Sequence, residues 1–157
     1  MKDIFEPGSV APDFELYNQD NEKVTLTDFR GKWLILYFYP KDNTPGCTVE
    51  ALDFTELSEE FKKARAEIVG VSKDSVKSHK NFCEKKNLNL ILLSDPEAKV
   101  CRDYKAWGIK KNYGREYEGL IRSTLIIDPE GKIAFHFKNV RAKGHAERVL
   151  KQFKEMI

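Results

Sequence analysis

The chain has 157 residues, enough for one ordinary hydrophobic core. Charged side chains make up 33% and hydrophobic ones 41%, the balance of a folded chain rather than a disordered one. With 27 basic against 25 acidic residues, the net charge of +2 is too close to neutral for a nucleic-acid footprint, and Lys and Glu are scattered as on a solvated surface. The longest apolar run, residues 33–39, is far too short to span a bilayer, and no apolar signal region follows Met1. Three cysteines, at 47, 83 and 101, are an odd number and argue against a secreted disulfide framework. A reducing cytoplasm is the expected location.

In chain order, residues 14–17 and 23–27 flank the turn-rich Asn18-Gln19-Asp20-Asn21 and predict a hairpin. The run 33–39 is near-continuously apolar, as in a central strand buried on both faces. After Cys47, the residues Phe54, Leu57, Phe61 and Ala64 recur at helical spacing. Residues 68–71 predict a short strand. Lys73-Asp74-Ser75 then offers a cap for a helix with Val76, His79 and Cys83 on one stripe. Residues 90–93 form the next strand. Asp95 as cap and Pro96 as first helical residue predict a helix holding Ala98, Cys101 and Tyr104 on one side. Residues 124–127 and 133–137 enclose Asp128-Pro129-Glu130-Gly131, a second hairpin. Ala146, Val149, Leu150, Phe153 and Ile157 give a closing amphipathic helix.

Two parallel crossovers, then an antiparallel pair and a final helix, describe an α/β architecture. The expectation is a thioredoxin-like mixed sheet flanked by helices, with an N-terminal β-hairpin extension, forming a single domain over 1–157. No repeat, linker or low-complexity segment interrupts it.

The segment richest in chemistry is Pro40-Lys41-Asp42-Asn43-Thr44-Pro45-Gly46-Cys47. It lies between the central strand and a helix, so Cys47 falls in the first helical turn. Unpaired backbone N–H groups and the positive end of the helix dipole favour a thiolate there. A structural cysteine, packing as a small hydrophobe, has no need of the Thr-Pro-Gly loop in front of it. Disulfide oxidoreductases of this fold carry Cys-x-x-Cys in the loop. Here Thr44 takes the first position, leaving a lone thiolate suited to attack on a small electrophile, with a hydroxyl beside it that both donates and accepts.

Pro40-x-x-x-Thr44-x-x-Cys47 resembles the active-site signature of the peroxiredoxins, and the wider pattern resembles their peroxiredoxin Q, or bacterioferritin comigratory protein, subgroup. The resemblance extends over Ala11-Pro12-Asp13-Phe14, Gly31-Lys32-Trp33, Tyr37-Phe38-Tyr39-Pro40, Thr44-Pro45-Gly46-Cys47-Thr48-Val49-Glu50 and Leu93-Ser94-Asp95, and from Trp107-Gly108 through Tyr113-Gly114 to Arg122-Ser123-Thr124. It implies a thiol peroxidase acting on hydrogen peroxide and organic hydroperoxides with no metal, haem, flavin or other cofactor. Cys47 is then the peroxidatic thiolate, with Thr44, the backbone N–H groups near Gly46 and Cys47, and Arg122 aimed at the peroxide oxygens. Arg122 is otherwise a surface charge at a strand entrance. Pro40 shields the thiolate as well as ending the strand. Glu50 either orients Arg122 or sits as an acid favoured by the helix dipole.

Many members of the subgroup place a second cysteine five residues after the first; here that residue is Leu52. Another set carries it in the following helix, which makes Cys83 the expected resolving thiol, through an intramolecular disulfide that requires local unwinding. His79 and Cys83, at i and i+4, make a poor zinc pair. Cys101 reads as core. Thioredoxin or a similar dithiol protein is the implied reductant, no nucleic acid or membrane is a partner, and the chain is a monomer or weak homodimer. The alternatives are a one-cysteine peroxidase resolved by an external thiol, a non-enzymatic peroxide sensor or chaperone, and a thiol–disulfide reductase.

Overall fold

The computed structural model describes residues 3–157. An eight-stranded mixed sheet runs in the order β1 (Ser9–Val10), β10 (Lys132–Lys138), β9 (Ser123–Ile127), β4 (Trp33–Phe38), β5 (Ala66–Ser72), β6 (Ile91–Ser94), β2 (Glu15–Asn18), β3 (Lys23–Thr25). Strands β4, β5 and β6 are parallel, and every other pairing is antiparallel. The predicted N-terminal hairpin is present and extends the sheet beyond β6. The pair around Asp128-Pro129-Glu130-Gly131 closes the other side, with β1 added outside it.

Alternation along β4 assigns the two faces. Leu34, Leu36 and Phe38 join one core with Phe14, Leu26, Phe29, Val100, Cys101 and Tyr104. Ile35, Tyr37 and Tyr39 join the other with Cys47, Phe54, Phe61, Phe82, Cys83, Val149 and Phe153. Helices α1 (Pro45–Lys63), α2 (Val76–Lys86) and α4 (His145–Met156) therefore cover the second face, and α3 (Lys99–Asp103) covers the first. Because both faces are covered, the central strand reads as a continuous apolar run. Gly70 in β5 marks a close approach. A Cβ there would lie 2.8 Å from Cζ of Tyr37 and 2.9 Å from Leu92.

Two local predictions are corrected. Asp95 and Pro96 do not open α3. The backbone turns through Pro96 and Glu97, and the helix starts at Lys99 after Ala98 in the left-handed region at φ 59°. The Asp95 carboxylate reaches past the turn to accept the Cys101 N–H at 2.8 Å. Residues 107–120, assigned no element from the sequence, form a separate antiparallel pair, β7 (Trp107–Asn112) and β8 (Arg115–Leu120). Its two-residue turn, Tyr113-Gly114, has φ of 51° and 76°, the signature of a tight hairpin turn. Charged residues with exposed Ile109 and Tyr117 hide the alternation that would have revealed it.

Candidate active site

The strand β4 delivers the chain into the loop 40–44, where Asn43 takes a left-handed conformation at φ 61°. Thr44 is the N-cap residue of α1, Pro45 its first helical residue and Cys47 its third. The first intrahelical bond runs from Thr48 N–H to Thr44 C=O at 2.9 Å, so the N–H groups of Gly46 and Cys47 precede the helical ladder. Cys47 is 1% exposed. Pro40 is half-buried where the loop leaves the strand.

The guanidinium of Arg122, immediately before β9, joins the two remaining groups. Its Nη2 donates to Cys47 Sγ at 3.3 Å, and its Nη1 donates to Glu50 Oε1 in a direct ion pair. Gly46 makes room for this: a Cβ there would stand 3.3 Å from Arg122 Nη2. Of the two sequence readings of Glu50, the geometry realises the Arg122 pair. Glu50 is fully buried one and a half turns into the helix, beyond the reach of first-turn dipole stabilisation. Burial pushes its carboxyl up to about 7, with the Arg122 charge holding it back. Its Oε2 has no hydrogen-bond partner among the described residues.

Thr44 is half-buried at the N-cap of α1. Its hydroxyl donates to Lys41 C=O at 2.8 Å, which consumes its single proton. Toward a substrate or the sulfur, Thr44 Oγ1 is therefore an acceptor. Lys110 on β7 was not anticipated. Its half-buried side chain lies across Gly119 and has its pKa lowered by burial and by the charge of Arg122, with Cys47 acting in the opposite direction. It is a second cation within electrostatic reach of the thiol.

Cys83 lies on α2, buried at 9% exposure and not bonded to Cys47. Burial pushes its thiol up to about 11. Cys101 is fully buried, and its thiol is held well above the ordinary range by burial and by Asp95. Between loop and α2 runs a buried polar network that the sequence reading missed. Asp42 accepts from Tyr39 Oη at 2.6 Å and from Ser78 Oγ at 2.8 Å, and shares a hydrogen bond with His79 Nδ1 at 2.8 Å. His79 Nε2 meets Leu93 C=O at 2.9 Å. The only signal in the sequence was His79 on the buried stripe of its helix.

A buried cysteine at a helix N-terminus, with an arginine bonded to its sulfur, equips a thioredoxin-like sheet for thiol chemistry on peroxides, the class of the peroxiredoxins. Known proteins agree. The AhpC/TSA family profile matches residues 7–136. The Bacillus subtilis peroxiredoxin Bcp is 46% identical over 151 residues, covering 96% of each chain. The Escherichia coli K12 peroxiredoxin Bcp is 42% identical, covering 94% of this chain and 95% of its own. A Xanthomonas campestris peroxiredoxin Q structure superposes with a TM-score of 0.88 at 43% identity over 92% of each chain, and a Xylella fastidiosa PrxQ variant with 0.92 at 36% identity over 99% of each. The chain belongs to the AhpC/TSA family, as a peroxiredoxin of the Bcp or peroxiredoxin Q group, and is a thiol peroxidase.

Proposed function

We propose that Cys47 is the peroxidatic residue, reducing hydrogen peroxide and organic hydroperoxides. The observation that carries this is the Arg122 guanidinium set between Cys47 Sγ and Glu50. The Cys47 thiolate attacks one peroxide oxygen in line with the O–O bond. The S–O bond forms, the O–O bond breaks, and the departing oxygen takes a proton and leaves as water or alcohol. Cys47 is left as sulfenic acid. Charge develops on both oxygens during this step, and Arg122 with the N–H groups of Gly46 and Cys47 stabilises it. Thr44 Oγ1 accepts the hydrogen bond of the peroxide O–H, while Pro40 walls the site from water. Alkyl peroxide reduction, named for a Xanthomonas campestris bacterioferritin comigratory protein 43% identical to this chain, supports the organic hydroperoxide part of this reading.

Cys83 then resolves the sulfenic acid. Its thiolate attacks Cys47 Sγ, the S–S bond forms, the S–O bond breaks, and hydroxide leaves as water on taking the thiol's proton. Two structures of the Xanthomonas campestris protein, each 43% identical to this chain, carry serine in place of cysteine at different positions, which fits two cysteines of interest in that relative. A thioredoxin-like dithiol protein returns both thiols to the reduced state. The chain acts as one catalytic unit in a reducing cytoplasmic setting, as a monomer or weak homodimer; among the described residues no helix is long and apolar enough to cross a membrane.

Burial of Cys83 and its raised pKa favour one second reading, in which an external thiol resolves Cys47. Titration of the reduced protein with hydrogen peroxide, followed by non-reducing peptide mass spectrometry, separates the two. A Cys47–Cys83 disulfide at one equivalent supports internal resolution. Sulfenic or sulfinic acid on Cys47 with Cys83 free supports the external thiol. Unmodified Cys47 overturns the peroxidase assignment to this residue.

A further inference from the structure

We infer that Asp42 and His79 form a latch that holds α2 against the active-site loop and thereby sets how fast Cys83 reaches oxidised Cys47. The inference rests on the reading of Cys83 as the resolving thiol.

Both ends of the latch are buried, Asp42 at 5% exposure and His79 at 0%. His79 Nε2 faces a backbone carbonyl, which only accepts, so Nε2 carries hydrogen. His79 Nδ1 faces a carboxylate oxygen at 2.8 Å, so one further proton lies between the two side chains. The contact is a direct hydrogen bond between two buried side chains. Ser78 adds a second donor to the same carboxylate, and Tyr39 occupies its other oxygen. Asp42 N–H in turn donates to Asp74 Oδ2 at 2.9 Å, in the turn leading into α2. One loop residue thus receives or makes contacts with three residues at the start of α2, and His79 ties that turn to β6 as well. The ligand-type atoms of Asp42, Asp74 and His79 lie within 4.8 Å of one another, but each of these side chains is already engaged by hydrogen bonds within the chain.

Cys83 is one helical turn beyond His79. Resolution needs Cα atoms within about 7 Å and a thiolate, and burial opposes the thiolate. Release of α2 from the sheet supplies both. Each bond from Asp42 to Ser78 or His79 must break in that opening, so weakening the latch raises the open population and the rate of disulfide formation. The same bonds touch neither Cys47 nor Arg122, and without them Asp42 is still held in the loop by Tyr39 Oη and by its N–H bond to Asp74, so the attack of Cys47 on peroxide is expected to be unchanged.

The experiment compares the parent protein with His79→Asn and Ser78→Ala by stopped-flow in single turnover. Sulfenate formation on Cys47 and its later conversion to disulfide are followed separately, with the product mapped by mass spectrometry. Hydrogen bonds to charged groups weigh enough in stability that His79→Asn is expected to speed resolution about tenfold, and Ser78→Ala a few-fold, with sulfenate formation unchanged. Both variants also accumulate less sulfinic acid at high peroxide. Resolution unchanged or slowed in Ser78→Ala, or in a folded His79→Asn, overturns the latch. If His79→Asn does not fold, Ser78→Ala alone decides. Absence of a Cys47–Cys83 disulfide in the parent instead overturns the reading of Cys83 and the latch with it.

Discussion

Arg122 reaches Cys47 and Glu50 with different nitrogens of one guanidinium, so thiol and carboxylate, three residues apart on α1, are read by a single planar cation. Lysine has three donors on a single nitrogen but lacks the fixed fork of the guanidinium, so it does not hold both partners in this geometry. Arg122→Lys and Arg122→Gln are expected to lower kcat/KM for hydrogen peroxide by about 10²–10³-fold, the effect of removing one donor from a developing oxyanion. Stopped-flow peroxidation rates check this, alongside circular dichroism to establish that the fold is retained.

Thr44 has spent its proton on Lys41 C=O, so in the proposed reaction its oxygen can serve only as an acceptor. Thr44→Ser preserves that hydroxyl and is expected to keep the rate within a few-fold. Thr44→Val preserves the shape but removes the acceptor, and about a tenfold to hundredfold loss in the reaction with peroxide is expected. A loss in Thr44→Ser with Thr44→Val unaffected would mean that the methyl group, and not the oxygen, matters.

Glu50 and two histidines give stability opposite dependences on pH. Burial raises the Glu50 carboxyl from an ordinary value of 4.5 to about 7, so the native state holds its proton more tightly than the unfolded chain. That contribution is fully present below about 4.5 and is lost as pH rises through 7. The difference in unfolding free energy between Glu50→Gln and the parent should shift in favour of the variant by about 2–3 kcal/mol over this window, then level off. Urea unfolding across pH 4 to 8.5 tests it; a constant difference contradicts it.

His136 and His145 run the other way. Burial lowers both to about 4, from an ordinary 6.5. His136 Nδ1 accepts the Phe5 N–H, and His145 Nε2 bonds Thr124 Oγ1 in a site walled by Phe54 and Phe137. Their neutral forms suit the fold, so the stability they contribute is present above about 6.5 and is lost as pH falls toward 4. Imidazole resonances followed by NMR should stay in the neutral position down to about pH 5. Titration near 6.5 would remove these residues from the acid response.

Cys101 should be chemically silent. Its thiol is sealed in the core, held well above the ordinary range, and its N–H is tied to Asp95. Cys101→Ala is expected to leave peroxide turnover and the pattern of disulfides unchanged, while lowering stability by about 1 kcal/mol for the small cavity. Alkylation of Cys101 in the native protein at a rate matching Cys47 would contradict this.

How much was legible beforehand depended on whether a signal was local. The loop 40–44 and the helical turn carrying Cys47 lie where a strand and a helix that both announce themselves in the sequence meet, so their position could be read directly. Arg122 was legible through resemblance; its contact with Cys47 spans 75 residues of chain and depends on β9 lying beside β4. Asp42 and His79 are 37 residues apart and meet only because β5 brings α2 alongside the loop. No periodicity encodes such a meeting. Asp95 misled for the opposite reason: an Asp-Pro pair matches a helix start, yet here the carboxylate reaches a partner six residues on, across a turn.

Gly70 connects the middle of the sheet to the chemistry at its end. The missing methyl gives Tyr37 its place, Tyr37 stacks on Phe54 at 4.7 Å, and Phe54 stands two helical turns after Cys47 on the same rigid helix. A side chain at position 70 would press on the buried Tyr37 ring and on Leu92. The contacts from Tyr37 to Phe54 lead from there into α1 and toward Cys47, whose partner Arg122 stands on a different segment, immediately before β9. Position 70 therefore belongs to the alignment of the nucleophile, although nothing there touches a peroxide.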